Sequence, residues 1–342
     1  MERFESRKRR HLELSLDREM QSTAQGGFDE ILLEHDALPE LDFDEVELTS
    51  SFVGRSLATP FFISGMTAGH AEAPAINLRL AKACAARGWI FGVGSQRREL
   101  DSPVDAFHEW LELKSKFPTL VILGNIGLSQ AISTDVGSLR RLAKNLGADA
   151  FCVHLNALQE VIQPEGTPNF RGGLAAIERL VAELGVPLIL KETGCGFSAK
   201  TLQKVASFNL AAIDVSGLGG THWGRIEGRR ALEGGDALRS NVADTFRDWG
   251  VSTVDSVISA REILTDSTEI WASGGVRSGL DAAKAIALGA NRVGFAKPAL
   301  QAALAGENEL HAFMEKSEFE LRTALFCTGS LRPSDLREFH HG

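Results

Sequence analysis

Eight short apolar runs recur along the chain, at 61–64, 90–93, 120–124, 150–154, 187–191, 211–215, 270–273 and 292–295. Each has the length of a buried strand. Between them lie Ala- and Leu-rich segments with helical patterning, such as 77–87, 139–146, 174–184 and 279–288. Strand runs alternating with helical ones imply parallel βαβ units, because parallel strands need a crossover that a helix supplies. Eight units over about 250 residues match a (β/α)8 TIM barrel in the α/β class. The rival is an open doubly wound sheet, which needs a glycine-rich nucleotide fingerprint after its first strand. The residues there are Gly65-Met66-Thr67-Ala68-Gly69-His70, which is not that fingerprint.

The expected organisation is one domain over 1–342, with an N-terminal extension at 1–60 and an insertion at 216–268. Connections as long as this insertion are uncommon unless functional. It opens with Gly217-Leu218-Gly219-Gly220-Thr221-His222-Trp223 directly after a strand. That places it on the catalytic face, where it could act as a lid.

Charge and cysteine usage exclude several classes. A net charge of −9 argues against a general nucleic-acid binder, though not against a small anionic ligand met by clustered cations. Four cysteines, Cys84, Cys152, Cys195 and Cys327, form no CxxC pair. This fits a reduced, cytoplasmic protein better than a disulfide scaffold or a zinc site. The N-terminus is charged without an apolar stretch behind it, unlike a secretory signal. No apolar run approaches the roughly 20 residues that span a bilayer. Tyrosine is absent, so no tyrosine serves as acid or base.

In such a barrel the chemistry sits at the C-terminal ends of the strands. The fourth run ends in His154-Leu155-Asn156-Ala157-Leu158-Gln159-Glu160, followed by Gln163-Pro164-Glu165-Gly166. So many hydrogen-bonding and ionisable groups at one edge exceed what packing requires. Glu160 has two readings: a single carboxylate holding Mg²⁺ beside phosphates, or a helix-start acid facing the dipole.

Ala272-Ser273-Gly274-Gly275-Val276-Arg277 follows the seventh run, and Gly289 to Ala296 covers the eighth. Barrels often bind phosphate with these two loops and a helix N-terminus. Glycines allow backbone N–H groups close to the oxygens, and Arg277 adds a charge-assisted bond. Turn glycines between packed elements are the plainer reading. Lys191 closes the fifth run, where a cation is costly unless it meets an anion or solvent. A flavin, a Schiff base or an ion pair with Glu192 or another acid would each account for it. Asn125, Ser95 and Thr67 end the third, second and first runs, so five strands present polar groups at one end. Arg7-Lys8-Arg9-Arg10-His11 has three readings: a nuclear-localisation or nucleic-acid patch, which the acidic net charge disfavours, a solvated helix face, or an arm bringing cations to a diphosphate.

These residues together resemble the flavin-dependent, type 2 isopentenyl-diphosphate isomerases, from Arg7 to about Leu336. The matching motifs are Arg7-Lys8 with His11, Ile63-Ser64-Gly65-Met66-Thr67, Gly92-Val93-Gly94-Ser95-Gln96-Arg97 and Asn125. His154-Leu155-Asn156 with Gln159-Glu160, Lys191-Glu192, Ser216 to Thr221 and Gly274-Gly275-Val276-Arg277 also match. The resemblance implies a 1,3-allylic proton shift between isopentenyl and dimethylallyl diphosphate. It implies reduced FMN, with NADPH as a reductant, and Mg²⁺. It assigns FMN contacts to Gly65, Met66, Thr67, Ser95, Asn125, Lys191, Thr221, Gly275, Arg277, Ala296 and Lys297. Substrate contacts fall on Arg7, Lys8, Ser95, Gln96, Arg97, His154, Asn156 and Gln159. Mg²⁺ falls on Glu160, and Gln159 and His154 lie nearest the chemistry. The family forms tetramers and octamers, which implies a homo-oligomer. Two positions depart from its pattern. Thr67-Ala68-Gly69 replaces Thr-Gly-Gly, and Gly65 stands where Ala or Ser is usual. The alternative is an FMN-dependent 2-hydroxy acid oxidoreductase with His154 as base, which leaves Gln159-Glu160 and the basic arm unexplained.

Overall fold

The computed structural model describes residues 2–66, 72–101 and 108–338. Eight parallel strands close into a barrel. They are β3 (Phe61–Ile63), β4 (Ile90–Gly92), β5 (Ile122–Gly127), β6 (Ala150–His154), β7 (Leu188–Lys191), β8 (Ala212–Asp214), β9 (Glu269–Ala272) and β10 (Arg292–Phe295). Their order around the barrel is the chain order, and β10 pairs with β3 to close it. Every expected run contributes a strand, and helices such as Val136–Leu146 and Gly279–Ala287 lie between them.

The period-2 alternation of a strand divides the apolar residues into two cores. Phe62, Ile90, Leu123, Cys152, Ile189, Ala212 and Trp271 fill the barrel. Phe61, Ile63, Phe91, Phe151, Leu190, Ile213 and Phe295 face outward into the larger core beneath the helices. Burial pushes the Cys152 thiol up to about 12, so it behaves as a small apolar residue.

The N-terminal extension serves both ends of the barrel. A hairpin of β1 (Ser50–Phe52) and β2 (Arg55–Leu57) places Phe52 and Leu57 in the interior core. Arg292 locks it there. Its guanidinium donates to Ser50 Oγ and to the Ser51 carbonyl, pairs with Glu269 at 2.9 Å and lies over the Phe52 ring. The hairpin therefore stoppers the N-terminal end. At the opposite end lies the helix Glu2–Leu16, with basic side chains towards the site described below.

The segment 216–268 differs from the expected lid loop. It contains three helices, Trp223–Glu233, Ala237–Thr245 and Thr253–Ile263. The last packs on helix Ala199–Val205 and on β9, so it is the barrel's own helix before β9. The true insertion is the pair Trp223–Glu233 and Ala237–Thr245, which pack on one another. Its helices start on side-chain caps from His222 and Asp236. Length alone hid these helices, because their apolar content is low and their polar faces are charged.

Candidate active site

The strand ends build the floor of one cavity of about 370 Å³. Such a volume lies within the range of small-molecule sites. Gly65, Met66, Ser95, Arg97, Asn125, His154, Asn156, Gln159, Glu160, Lys191, Thr221, Gly275, Arg277, Ala296 and Lys297 all line it. Arg7 and Lys8 line it from the N-terminal helix of the same chain. Thr67 lies outside the described residues. Gln96 takes another place: it is buried, and its Oε1 accepts from the Asn125 backbone N–H at 3.0 Å. It ties the loop after β4 to β5 and is absent from the described lining. The Gln96 side chain therefore meets the Asn125 backbone.

Register sets the central row. His154 pairs with Lys191 across β6 and β7, and Lys191 with Asp214 across β7 and β8. His154 Nδ1 sits 2.8 Å from Asn125 Oδ1, while Asn125 Nδ2 donates to the Val93 carbonyl. The amide oxygen can only accept, so Nδ1 carries the proton. Burial, with Lys191 and Lys8 nearby, drives the His154 pKa down to about 3. The imidazole is therefore neutral at physiological pH.

Lys191 Nζ donates to the Glu192 carbonyl oxygen at 2.6 Å and lies 3.5 Å from Asp214 Oδ2. Its carboxylate partner is thus Asp214, not the adjacent Glu192. The Glu192 carboxylate instead accepts from the backbone N–H groups of Thr193, Gly194 and Cys195. Burial pushes Glu192 up to about 7 against those three bonds.

Helix Ala157–Ile162 begins at Asn156 and carries Gln159 and Glu160. Asn156 Nδ2 donates to Glu160 Oε1 at 2.9 Å and to Gln159 Oε1 at 3.2 Å. The Thr167 backbone N–H donates to the other Glu160 oxygen. Gln159 Nε2 donates to Glu227 Oε1 at 3.2 Å, which fixes the amide's orientation. Glu227 is wholly buried in the helix Trp223–Glu233. It also meets His11 Nε2 at 2.9 Å and the Arg230 guanidinium. Burial works to raise Glu227, yet contacts with His11, Arg230 and Gln159 outweigh it and hold the carboxyl at about 2. Arg230 carries a permanent charge and is the partner that keeps Glu227 ionised. His11 stacks edge-on against Trp223, with ring centroids 5.3 Å apart. Trp223 closes the glycine-rich run that the sequence places on the catalytic face, whereas Glu227 and Arg230 had no such mark, lying on a charged helix away from any strand end. The His11 motif was the one signal for them.

Cations from the N-terminal helix and the loop after β4 gather at the cavity beside this cluster. Burial, with Arg7 and Arg97 close by, lowers Lys8 to about 8. Glu227 and Glu99 act in the other direction and offset part of that lowering. Arg277 donates to the Gly219 carbonyl at 3.2 Å. Gly274 and Gly275 have φ of 92° and 75°, in the left-handed region. A Cβ on Gly275 would lie 2.8 Å from the Gly219 backbone. These glycines therefore also allow two loops to pack together, so the plainer reading of them holds in part. Beside them, helix Lys297–Ala305 starts at Ala296 without a side-chain cap. Its N-terminal end and dipole face the cavity, as an anion site requires.

A Cβ on Gly65 would lie 2.1 Å from the Val93 carbonyl oxygen. The chain path here needs glycine, which explains the departure noted from the sequence. The Ser64 hydroxyl is buried and has no hydrogen-bond partner among the described residues. It lines the cavity with Gln163 and Ser216, which stand in the motifs quoted above, and with Gln130 and Gln301, which the sequence reading did not single out.

An anion-accepting rim after the last two strands makes this a (β/α)8 barrel of the phosphate-binding kind. The FMN-dependent dehydrogenase family profile matches residues 138–341. Solved structures of flavocytochrome b2 with sulfite bound (TM-score 0.67, 18% identity, 92% of this chain and 76% of that one) and of mandelate oxidase with (S)-mandelic acid (0.67, 17%, 98% and 97%) share the fold. At that identity the likeness is one of fold alone. The sequence relatives are far closer. Isopentenyl-diphosphate delta-isomerase of Legionella pneumophila (strain Lens) is 51% identical over 335 residues, covering 98% of this chain and 97% of its own. That of Bdellovibrio bacteriovorus is 48% identical over 338 residues, covering 98% and 96%. The chain belongs to the isopentenyl-diphosphate delta-isomerase family.

Proposed function

We infer that this chain interconverts isopentenyl diphosphate and dimethylallyl diphosphate by a 1,3-allylic proton shift, using reduced FMN. The observation that carries this reading is the pairing of two anion-seeking walls with a metal-type carboxylate in one cavity. An oxidoreductase acting on a 2-hydroxy acid would use neither the basic helix nor Glu160. The identity of about 50% to isomerases over nearly the whole chain supports the same choice.

The cavity fits FMN on four counts. It has an uncapped helix start at Ala296, left-handed glycines at 274 and 275, the buried cation Lys191 and the unpartnered Ser64 hydroxyl. Gly275, Arg277, Ala296 and Lys297 would hold the phosphate. Met66, Ser95, Asn125, Lys191 and Thr221 would hold the rest, with Thr67 and Gly65 at the first strand end. Bound reduced flavin supplies an acid–base nitrogen with no net redox change, NADPH serving as the reductant that prepares it.

The chain's own residues orient and neutralise. Arg7, Lys8 and Arg97 meet the diphosphate charge. His154 stays neutral, with Nδ1 committed to Asn125 and Nε2 left as an acceptor. Gln159, pinned by Asn156 and Glu227, neither gains nor loses a proton near neutral pH, so it orients substrate rather than titrates. Glu160 is the one carboxylate among the described lining residues, and no cluster of three metal-ligating groups occurs among the described residues. Mg²⁺ held there would take its other ligands from diphosphate oxygens and water, the usual habit of that ion. No helix of the described residues is long and apolar enough to cross a membrane. A cytoplasmic homo-oligomer, tetramer or octamer, completes the reading, with no nucleic-acid partner.

The test is anaerobic. Purified protein with FMN, dithionite or NADPH, and Mg²⁺ should convert isopentenyl diphosphate to its allylic isomer. No conversion would overturn the reading. Glu160→Gln should raise the Mg²⁺ requirement at least tenfold while FMN affinity stays within about twofold, since roughly 1.4 kcal/mol corresponds to tenfold. Equal loss of both would make Glu160 structural.

A further inference from the structure

We propose that Asp214 is a positioning residue that fixes the Lys191 ammonium and sets how much positive charge that cation presents to bound FMN. The proposal rests on the FMN reading above. Lys191 lines the cavity, whereas Asp214 is buried behind it and is absent from the described lining. An ammonium has three donors. The Glu192 carbonyl at 2.6 Å and Asp214 Oδ2 at 3.5 Å draw it back onto the barrel wall. Two partners leave one donor, on a side chain that lines the cavity.

Asp214 is itself gripped. Ser273 Oγ donates to its Oδ1 at 2.7 Å, and the Ser216 backbone N–H also bonds its carboxylate. Strand register puts Lys191 directly opposite Asp214, and Ser273 directly follows β9. Fold stability gives little reason for an acid here. Well-packed apolar residues often replace a buried ion pair without loss. The other acid nearby, Glu192, is committed to three backbone N–H groups. Asp214 is therefore the group that balances Lys191. With the carboxylate present the pair is near neutral. Without it, an uncompensated cation faces the cofactor.

Reduced flavin carries more negative charge than oxidised flavin. Asp214→Asn should therefore favour the reduced form at least tenfold, a shift of about +30 mV for a two-electron couple. The measurement is a dye-coupled reductive titration of the FMN-loaded protein, with FMN affinity determined alongside. In a Lys191→Met background the same substitution should leave the potential unchanged. An unchanged or more negative potential in FMN-loaded Asp214→Asn overturns the proposal, as does an equal shift in both backgrounds. If Asp214→Asn does not fold, Asp214→Ser must shift the potential in the same sense. Failure of both to fold, or loss of FMN from both, makes Asp214 structural and also overturns it. Wild-type protein that takes up no FMN would instead refute the cofactor reading itself.

Discussion

At the scale of single residues, the site works by holding charges in states they would not adopt in water. His154 illustrates the consequence for pH. Its folded-state pKa is about 3, against an ordinary 6.5. Between those values the unfolded chain binds more protons than the folded one. Stability contributed by neutral His154 is therefore complete above about pH 6.5 and is lost as the pH falls towards 3. The slope is about 1.4 kcal/mol per pH unit. His154→Asn should remove that slope from the pH profile of urea unfolding in FMN-free protein. Identical profiles for the two proteins would show that the imidazole is not held neutral. Gln96 shows the reverse lesson. It stands in a motif full of site residues, yet its side chain is spent on the Asn125 backbone.

At the scale of elements, the N-terminal helix Glu2–Leu16 joins the barrel to the insertion. His11 meets Glu227, Arg10 pairs with Glu233, and the Lys297 ammonium reaches the Asp17 carbonyl. The helix brings Arg7 and Lys8 to the cavity without belonging to the barrel. FMN and diphosphate binding should then separate. Replacing both Arg7 and Lys8 by Ala removes two charged contacts of about 1.5 kcal/mol or more each. Substrate KM should rise roughly 100-fold while FMN affinity is nearly unchanged. A matching loss of FMN would mean that the helix shapes the cofactor pocket instead. Composition suggested the arm's charge, but no local pattern specifies that it folds onto Trp223 and Glu227. That contact joins residues more than 200 positions apart.

At the scale of the whole molecule, the two ends of the barrel divide stability from chemistry. The hairpin of β1 and β2 fills the N-terminal end with Phe52 and Leu57, far in function from the strand-end cavity. Phe52→Ala should cost about 3–5 kcal/mol, the usual effect of emptying a buried aromatic site. It should leave the FMN absorbance spectrum and KM unaltered. Denaturant unfolding checks the first point, and a changed spectrum would contradict the second. The hairpin escaped the sequence reading because its strands, Ser50–Phe52 and Arg55–Leu57, are short and half polar.

The eight strands and the face that bears the chemistry were determined by the sequence alone. Buried parallel strands must be continuous apolar runs, and the polar residue ending each run marks its edge. Asn125, His154 and Lys191 were legible for that reason. Tertiary structure alone decided which charges meet. Strand register, a relation between segments far apart in the chain, sets Lys191 against Asp214. The packing of a helical insertion on the N-terminal helix brings Glu227 to Gln159 and His11. Such pairings depend on distances between segments, and a single sequence carries no measure of those distances.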